Sequence, residues 1–213
     1  MCLPSCRGGS EKGGPGSRSA GVRPAGSGKI ETMRDSAGDA AIIGLISDTH
    51  GLMRPEALAA LKGCELIIHA GDVGKPEIIE QLLTVAPVVA VRGNIDKGAW
   101  AAQLPLTAVV ETRRARIYVV HDVVHDVLHD LQLLDLDPAA AELHIVVSGH
   151  SHKASRAERA GVLYLNPGSA GPRRFQLPIT LARLDLRHSP WRVDFIDLSD
   201  GETYCPPGVA GPG

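Results

Sequence analysis

An apolar run that stops abruptly in polar side chains, residues 42–51, constrains the fold more than any other part of the sequence. It reads Ile-Ile-Gly-Leu-Ile-Ser-Asp-Thr-His-Gly. A run of strand length that is apolar at every position is typical of a strand buried on both faces, at the centre of a covered sheet. Asp48 and His50 follow it, two residues apart. Both side chains can therefore project into one crevice where the strand ends.

The same pattern, an apolar strand followed by side chains that bind metals, recurs three times. It is found in residues 66–72, 88–94 and 143–152. The polar residues that end these segments are Asp72, Asn94, His150 and His152. In open α/β sheets, functional sites lie beyond the carboxyl ends of the strands. We therefore expect these side chains to converge at one edge of a sheet with Asp48 and His50.

The spacing of the apolar segments predicts an α/β fold. Strands alternate with two helices, at residues 54–62 and 76–84, up to residue 96, and such crossovers give parallel strands. Beyond this point, hairpins replace the crossovers. Their paired strands are predicted at residues 107–111 with 115–120, 155–159 with 162–166, and 180–186 with 191–198. With a further helix at residues 127–136, we predict a four-layer αββα sandwich, in which two mixed β-sheets pack face to face and are flanked by helices.

Composition divides the chain into one folded domain and two tails. Residues 1–39 are rich in Gly, Ser, Pro and Arg, with few apolar side chains. Such a segment cannot repay the entropy of ordering, so we predict a disordered extension. Residues 40–198 form the predicted folded domain, and residues 199–213 a flexible tail rich in Gly and Pro. Met33 is an alternative start, with the earlier residues as an upstream extension.

The net charge and the cysteines indicate which partners and which cellular compartment to expect. With 22 Lys and Arg against 24 Asp and Glu, the net charge is −2, without the basic excess that drives binding to nucleic acids or acidic lipids. No apolar run approaches the ~20 residues of a membrane span. The four cysteines form no CxxC pair, which favours reduced thiols in the cytosol. We therefore expect a cytoplasmic protein that binds neither nucleic acid nor membrane.

The donor set itself indicates catalytic chemistry. Asp, His and Asn with no Cys among them suit Mn²⁺, Fe²⁺, Zn²⁺ or Co²⁺ rather than a structural zinc. Because Asp72 carries two oxygens at the central edge, it can bridge two ions. Two ions clamp a phosphate and lower the pKa of bound water towards ~7. A bridging hydroxide would then attack phosphorus in line, so the pattern predicts hydrolysis of a phosphoester.

Five motifs in a fixed order give the chain a family resemblance. They are Asp48-x-His50, Gly71-Asp72, Gly93-Asn94, a strand that ends in His121, and Gly149-His150-x-His152. In this order they resemble the calcineurin-like metallophosphoesterase superfamily, and within it the small single-domain bacterial and archaeal phosphodiesterases. Residues 166–169, Asn-Pro-Gly-Ser, followed by Pro172-Arg173, are similar to the signature that those proteins carry after the last ligand. The resemblance covers residues 42–174 and implies a metal-dependent phosphodiesterase.

The resemblance also implies a ligand set. The first ion would be bound by Asp48, His50, Asp72 and His152. The second would be bound by Asp72, Asn94, His121 and His150. The candidate catalytic residues among them are Asp72, Asn94 and His150. The implied cofactors are two divalent metal ions, with Mn²⁺ preferred over Ni²⁺, Fe²⁺, Zn²⁺ or Co²⁺, and the implied substrate is a small phosphoester, with a nucleotide-like diester as one candidate.

Three positions depart from the family pattern. Many members have, after the Asn, a His that protonates the leaving group, whereas this chain has Ile95, which favours substrates with good leaving groups. Asp122 follows His121 where Gly-His is usual, and it either orients His121 or only adds charge nearby. The Asp-Arg pair of the protein serine/threonine phosphatases is missing downstream of Asp72, which argues against that activity.

Several other polar residues have structural explanations. His69 ends a buried strand, where we expect a hydrogen-bonded histidine of the core or beside the ligands. His125 and His129 follow His121 at helical spacing and suit either a separate zinc site or, as we prefer, the exposed start of a helix. Three arginines near the motifs, Arg92, Arg173 and Arg174, could approach a phosphate, but we prefer surface or structural pairing for each.

Two functions are compatible with these residues. The preferred one is phosphodiester hydrolysis at a two-metal centre. The alternative is a non-catalytic protein-interaction scaffold of the same fold, like the retromer subunit in which some ligands are altered. Retention of all seven ligand positions favours the enzyme, and either function is compatible with a homo-oligomer.

Overall fold

The apolar run before Asp48 lies in the interior of a β-sheet, as the sequence predicts. The computed structural model describes residues 31–33, 38–123, 142–174 and 176–207. Ile42–Ile46 forms a strand with a neighbour on each side, and four of its five residues are buried. Ile43 and Leu45 pack between two sheets, whereas Ile46 packs on the opposite face of its own sheet. The strand is therefore buried on both faces.

The described residues form two α-helices, a 3-10 turn at Ala101–Gln103 and twelve strands. The helices are α1 (Pro55–Ala60) and α2 (Pro76–Leu83). The strands are β1 (Glu31–Met33), β2 (Ile42–Ile46), β3 (Leu66–His69), β4 (Val88–Ala90), β5 (Thr107–Glu111), β6 (Arg116–Val120), β7 (Ile145–Val147), β8 (Ser155–Arg159), β9 (Val162–Asn166), β10 (Thr180–Asp185), β11 (Arg192–Asp197) and β12 (Thr203–Tyr204).

These strands form two six-stranded sheets. The first has the order β1-β5-β6-β7-β9-β8 and the second the order β12-β11-β10-β2-β3-β4. Each contains parallel and antiparallel pairs, such as β6 with β7 and β5 with β6 in the first sheet. The predicted pair of mixed sheets is therefore confirmed.

The parallel strands place the polar loops of both sheets at one edge. β2, β3 and β4 are parallel in the second sheet, and β6, β7 and β9 are parallel in the first. After these strands, the Asp48 N–H donates to the Gly71 carbonyl at 3.0 Å, and the Gly149 N–H to the His121 carbonyl at 3.0 Å. The His150 N–H crosses between the sheets and donates to the Asp48 carboxylate at 3.1 Å. The loops of the two sheets therefore meet.

One apolar layer lies between the sheets, and another lies under the helices. Ile68 and Val147 are among the side chains buried between the sheets, where each contributes about 1.5–3 kcal/mol relative to exposure. The helices cover the outer face of the second sheet, where Leu61 is buried. On the outer face of the first sheet, where Val146 is buried, the described part of the chain has no helix. Helices predicted on both outer faces are thus found on one, and the helix predicted at residues 127–136 lies outside the described residues.

Short strands lie beyond the predicted limits of the folded domain. β1 belongs to the segment predicted to be a disordered extension, residues 1–39, and pairs in parallel with β5. β12 belongs to the predicted tail, residues 199–213, and pairs with β11. Residues 1–30, 34–37 and 208–213 lie outside the described ranges, and their disorder stays a prediction. Among the residues described, no helix has the length and apolar character needed to cross a bilayer.

Candidate metal centre

The loops after the strands hold their polar residues in a backbone conformation that few side chains adopt. Five of the predicted ligands have positive φ angles: Asp48 (54°), His50 (47°), Asp72 (53°), His150 (64°) and His152 (59°). Outside glycine this left-handed region is uncommon, and it costs roughly 1–3 kcal/mol per residue. Backbone strain is therefore concentrated at the residues that the sequence identifies as ligands.

Asp48, His50 and His152 form the first donor group. The Asp48 Oδ1 lies 3.2 Å from the His152 Nε2 and 4.0 Å from the His50 Nε2. The Nε2 atoms of the two histidines are 3.3 Å apart. Asp48 is fully buried, and its other oxygen accepts a hydrogen bond from the Ser47 hydroxyl at 2.7 Å. Donor atoms from both sheets therefore face the same small volume.

Asp72 connects this first group to a second one. The Asp72 Oδ2 lies 3.8 Å from the His50 Nε2, and its Oδ1 lies 3.2 Å from the His121 Nε2. The Asn94 Oδ1 lies 3.0 Å from the same His121 nitrogen. Candidate ligand atoms of Asp48, Asp72 and His121 lie within 4.8 Å of one another, as do those of the first group. Asp48 thus belongs to both tight groups, while the two oxygens of Asp72 face one histidine of each.

His150 lies at the open end of the cluster. Its Nδ1 is 3.1 Å from the Asn94 Oδ1, and its ring meets the His121 ring edge-on, with 5.3 Å between centroids. The Asp122 Oδ2 lies 3.7 Å from the His150 Nε2. Of the two roles predicted for Asp122, the geometry favours added charge, because the His121 Nδ1 is engaged by the Ala70 carbonyl instead. All seven predicted ligands are brought together at this edge of the fold.

The hydrogen bonds of His121 show that the cluster suits a cation. Its Nδ1 lies 2.7 Å from the Ala70 carbonyl oxygen, which can only accept, so this nitrogen carries a proton. In the neutral ring, the Nε2 then presents a lone pair towards oxygens of Asp72 and Asn94. Lone pairs that face one another at hydrogen-bond distance repel unless a positive charge lies between them. Either a proton or a metal ion supplies that charge.

His121 and Asp72 shift each other's pKa values in opposite directions. Burial alone would lower the pKa of His121, but its hydrogen bonds to Asp72 and to the Ala70 carbonyl raise the pKa above its ordinary value. Burial alone would raise the pKa of Asp72, but hydrogen bonds from His121 and from the Ile95 N–H hold it below its ordinary value. The pair therefore favours a carboxylate next to a positive charge.

Asp48 provides a second sign of a metal site. Its Oδ1 is buried and, although the His152 Nε2 lies 3.2 Å away, the geometry gives it no hydrogen bond among the residues described. An unpartnered buried carboxylate oxygen is costly, and a bound cation removes that cost. Carboxylate, imidazole and amide donors without a thiolate also match the preferences of Mn²⁺, Fe²⁺, Zn²⁺ and Co²⁺. The residues present therefore fit a divalent metal centre.

Comparison with known families decides what kind of protein this is. A family model for the calcineurin-like phosphoesterase superfamily domain matches residues 42–189, which include all seven donors. The chain belongs to this superfamily. It is 35% identical over 152 residues to a probable metallophosphoesterase of Methanothermobacter thermautotrophicus, a match that covers 68% of this chain and 86% of the relative. The family indicated by the five motifs is confirmed.

Solved structures of similar proteins share the fold of this phosphoesterase. A conserved uncharacterized protein of Streptococcus pneumoniae, a predicted phosphoesterase, superposes with a TM-score of 0.59 at 27% identity, over 81% of this chain and 97% of that protein. Vps29 of Entamoeba histolytica, complexed with Zn²⁺, superposes with a TM-score of 0.60 at 23% identity, over 77% of this chain and 96% of Vps29. At that identity the second likeness shows the fold alone.

In this phosphoesterase, the Asn-Pro-Gly-Ser segment braces two of the ligand loops. The Asn166 Nδ2 donates to the Gly149 carbonyl at 2.6 Å, directly before His150. The Ser169 hydroxyl donates to the Asp48 carbonyl at 3.0 Å. This segment therefore helps to hold ligand loops from both sheets in place.

Asp96 has a role that the sequence does not reveal. Its carboxylate accepts hydrogen bonds from the backbone N–H groups of Val73 (3.2 Å), Gly74 (2.7 Å) and Gly93 (2.8 Å). These groups flank Asp72 and Asn94 in the chain, so one carboxylate ties two ligand loops together. A side chain at position 93 would collide with the Asp72 backbone, which explains the glycine there. The only sequence signal was an acidic residue in a loop that already carries a ligand.

His69 is a hydrogen-bonded core histidine, as predicted. Its Nε2 lies 2.9 Å from the Thr49 Oγ1, and the Thr49 hydroxyl donates to the Val73 carbonyl at 3.0 Å. Since that hydroxyl has a single proton, the His69 Nε2–H must donate to it. Burial lowers the pKa of His69 to about 4, so the ring is neutral at pH 7. His125 and His129 lie outside the described residues.

Of the two adjacent arginines, Arg173 and Arg174, one lies at the metal centre. The Arg174 Nη2 is 3.5 Å from the His50 Nδ1, whereas the Arg173 Nη2 donates to the Ser199 hydroxyl at 3.1 Å. Burial, and then the nearby Arg174 charge, lower the pKa of His50. Both arginines are exposed and paired, as expected, but the partner of Arg174 is a predicted ligand.

Proposed function

We propose that this calcineurin-like phosphoesterase hydrolyses phosphodiesters with the help of two divalent cations, Mn²⁺ being the first choice. The observation that carries the proposal is the position of Asp72, whose two oxygens face His50 of one donor group and His121 of the other. A single carboxylate between two donor groups suits two cations that share it. The first would be held by Asp48, His50, Asp72 and His152. The second would be held by Asp72, Asn94, His121 and His150.

The residues of the cluster position and orient the reactants. When bound, the cations would supply charge to the phosphoryl oxygens and lower the pKa of the water that attacks phosphorus in line. Asp72 keeps its shared position because its Oδ1 accepts a hydrogen bond from the Ile95 N–H at 3.0 Å. His121 is aimed by its hydrogen bond to the Ala70 carbonyl, which keeps a proton on Nδ1 and leaves Nε2 to bind.

Asn94 and His150 form the side of the centre that would meet the substrate. The Asn94 Oδ1 lies within hydrogen-bond distance of both the His121 Nε2 and the His150 Nδ1. The His150 side chain is 46% exposed, whereas that of His121 is 5% exposed. A phosphoester that enters the crevice therefore meets His150 first. Together with Asp72, these two residues are the proposed catalytic residues.

The proposed preference for diesters rests on position 95. Ile95 follows Asn94 and is 37% exposed, at the place where many family members carry a His that protonates the leaving group. General acid catalysis typically contributes 10²–10⁴-fold. Without that contribution, hydrolysis depends on a leaving group that departs as an anion. We infer that the substrates are small diesters with good leaving groups, with nucleotide-like diesters as one class.

Removal of metal tests the proposed function. Treatment with a chelator, followed by dialysis, is expected to abolish hydrolysis of an aryl phosphodiester, because the protein donors alone supply no Lewis acid. Addition of Mn²⁺ is expected to restore the rate, and parallel additions of Ni²⁺, Fe²⁺, Zn²⁺ and Co²⁺ rank the ions. The initial rate of hydrolysis is measured for each sample, and the metal content of the same sample is determined by elemental analysis. Full activity in metal-free protein would contradict the two-cation mechanism.

The substitution Ile95→His is expected to raise the hydrolysis of an alkyl phosphomonoester relative to an aryl diester by about 10²-fold, because a general acid then assists the poor leaving group. The backbone N–H of residue 95, which donates to Asp72, is kept. The measurement is kcat/KM for both substrates across pH. Ile95→Gln is the matched control, since its side chain is polar but does not titrate. An unchanged ratio, or an equal change with Gln, would count against this account of position 95.

A non-catalytic scaffold is the alternative function for this fold. Leu52 and Ile95 are both more than a third exposed, and each lies within two residues of a predicted ligand, so they offer apolar contacts to a partner beside the crevice. Protein that binds two equivalents of metal but turns over no member of a diester and monoester panel would favour this alternative. The complete set of seven donors supports the enzyme.

A further inference from the structure

The two ends of the donor cluster carry opposite charges. At one end, the Arg174 Nη2 lies 3.5 Å from the His50 Nδ1. At the other end, the Asp122 Oδ2 lies 3.7 Å from the His150 Nε2. Within the described ranges, Arg174 forms no ion pair with a carboxylate. An arginine beside a site for divalent cations repels them, whereas an anion bound between them would be attracted to both.

The loop that carries Arg174 is fixed to a ligand loop. Gly171 packs so closely on the first ligand loop that a Cβ atom on it would lie 2.5 Å from the Asp48 carbonyl oxygen. The Arg54 Nη2 also donates to the Gly171 carbonyl at 3.2 Å. Arg174 follows three residues later. The loop that carries Arg174 is therefore packed against the loop that carries Asp48.

We propose that Arg174 binds the phosphoryl group of the substrate and fixes its orientation in the crevice, an inference that rests on the proposed function. A guanidinium can donate two parallel hydrogen bonds to the oxygens of one phosphate. Beside His50, it would hold a non-bridging phosphoryl oxygen at the first donor group. The ester group of the substrate then points towards His150.

A polar cavity lies at the end of the cluster where the ester group would point. It measures about 390 Å³, and the residues that line it include His150, Asp122, Ser148, Ser151 and Asn166. Hydroxyl and amide groups suit a substituent that forms hydrogen bonds. The carboxylate of Asp122 disfavours a second anionic group. The substrate class is therefore a diester with a neutral ester group rich in hydroxyls, such as a nucleoside.

The two neighbouring arginines allow a matched test. For Arg174→Ala, we expect the affinity of the Mn²⁺-loaded protein for inorganic phosphate to fall about 10- to 100-fold, and KM for an aryl diester to rise by a similar factor. Arg174→Lys should show smaller changes in the phosphate affinity and in KM than Arg174→Ala, since lysine keeps the charge but lacks the paired donors. The phosphate affinity and the KM of Arg173→Ala should stay within about twofold of the wild-type values. Calorimetry gives the phosphate affinity and steady-state kinetics give KM and kcat.

The Mn²⁺ affinity separates this role from a merely structural one. Arg174→Ala should bind Mn²⁺ at least as tightly as the wild type, because a repulsive charge is removed. An unchanged phosphate affinity in Arg174→Ala, or an equal loss in Arg173→Ala, would overturn the proposal. Phosphate binding that depends on Arg174 in a protein that hydrolyses no ester would overturn the proposed function but support the anion site. Faster hydrolysis of a diester with an anionic ester group than of its neutral analogue would overturn the orientation.

Discussion

The substitution Asp72→Asn is expected to lower kcat/KM for an aryl phosphodiester by at least about 10³-fold while the protein stays folded. The Ile95 N–H donates to the Asp72 Oδ1, so in the variant the amide oxygen stays at this position. The amide NH₂ group then replaces the oxygen that faces the His50 Nε2 at 3.8 Å. A donor in place of an acceptor, without the negative charge, cannot be shared by two cations. If the proposed two-cation centre is correct, the metal content should fall from two equivalents to one.

An exposed ion pair elsewhere provides the control for this variant. Asp194 pairs with Arg192 at 2.9 Å on the second sheet, and Asp194→Asn makes the same chemical change there. Its rate and its metal content should stay within about twofold of the wild type. Metal content by elemental analysis and kcat/KM are measured on both variants, with circular dichroism to confirm folding. Two tightly bound cations or a near-normal rate in Asp72→Asn would contradict a shared carboxylate.

The strands were predictable because their pattern follows directly from burial. β2 has to be apolar at nearly every position because one face packs on the first sheet and the other on helices. The same constraint allows β3 to be predicted from the sequence, and the polar residues after each strand mark the end of that strand. The helices between β2 and β4 then fix a parallel arrangement. Convergence of the seven donors follows from this topology and from the order of the motifs.

The interactions that complete the centre could not be predicted from spacing. Asp96 binds the N–H groups of Val73 and Gly74, 23 and 22 residues earlier in the chain, and Arg174 meets His50 from a loop near the other end of the domain. Each contact depends on how two loops pack, and a single charged residue in a loop fits many environments. Asp122 shows the same effect, since its neighbour in sequence, His121, is not the histidine that it faces.

For Asp96→Ala, we expect the free energy of unfolding to fall by about 3–5 kcal/mol, because three backbone N–H groups lose a charged acceptor together. Asp96 is buried, so water cannot readily replace the carboxylate. The loops that carry Asp72 and Asn94 would separate, and small displacements of reacting groups are costly. We therefore expect kcat/KM to fall about 10²-fold as well. Urea unfolding of the metal-free protein and kinetics with Mn²⁺ measure the two effects.

A second acidic residue that accepts a backbone hydrogen bond provides the control for Asp96→Ala. The Asp197 Oδ1 accepts from the Ser199 N–H at 2.8 Å in an exposed turn, so Asp197→Ala should cost less than about 1 kcal/mol and leave the rate unchanged. The loss of unfolding free energy for Asp96→Asn should lie between those of Asp96→Ala and Asp197→Ala, because the amide keeps one acceptor oxygen. If Asp96→Ala lowers the free energy of unfolding no more than Asp197→Ala does, the two ligand loops hold their positions without the Asp96 carboxylate. The cohesion of the centre would then have to come from its cations alone, and unfolding in saturating Mn²⁺ would show it as a stability that the metal-free protein lacks.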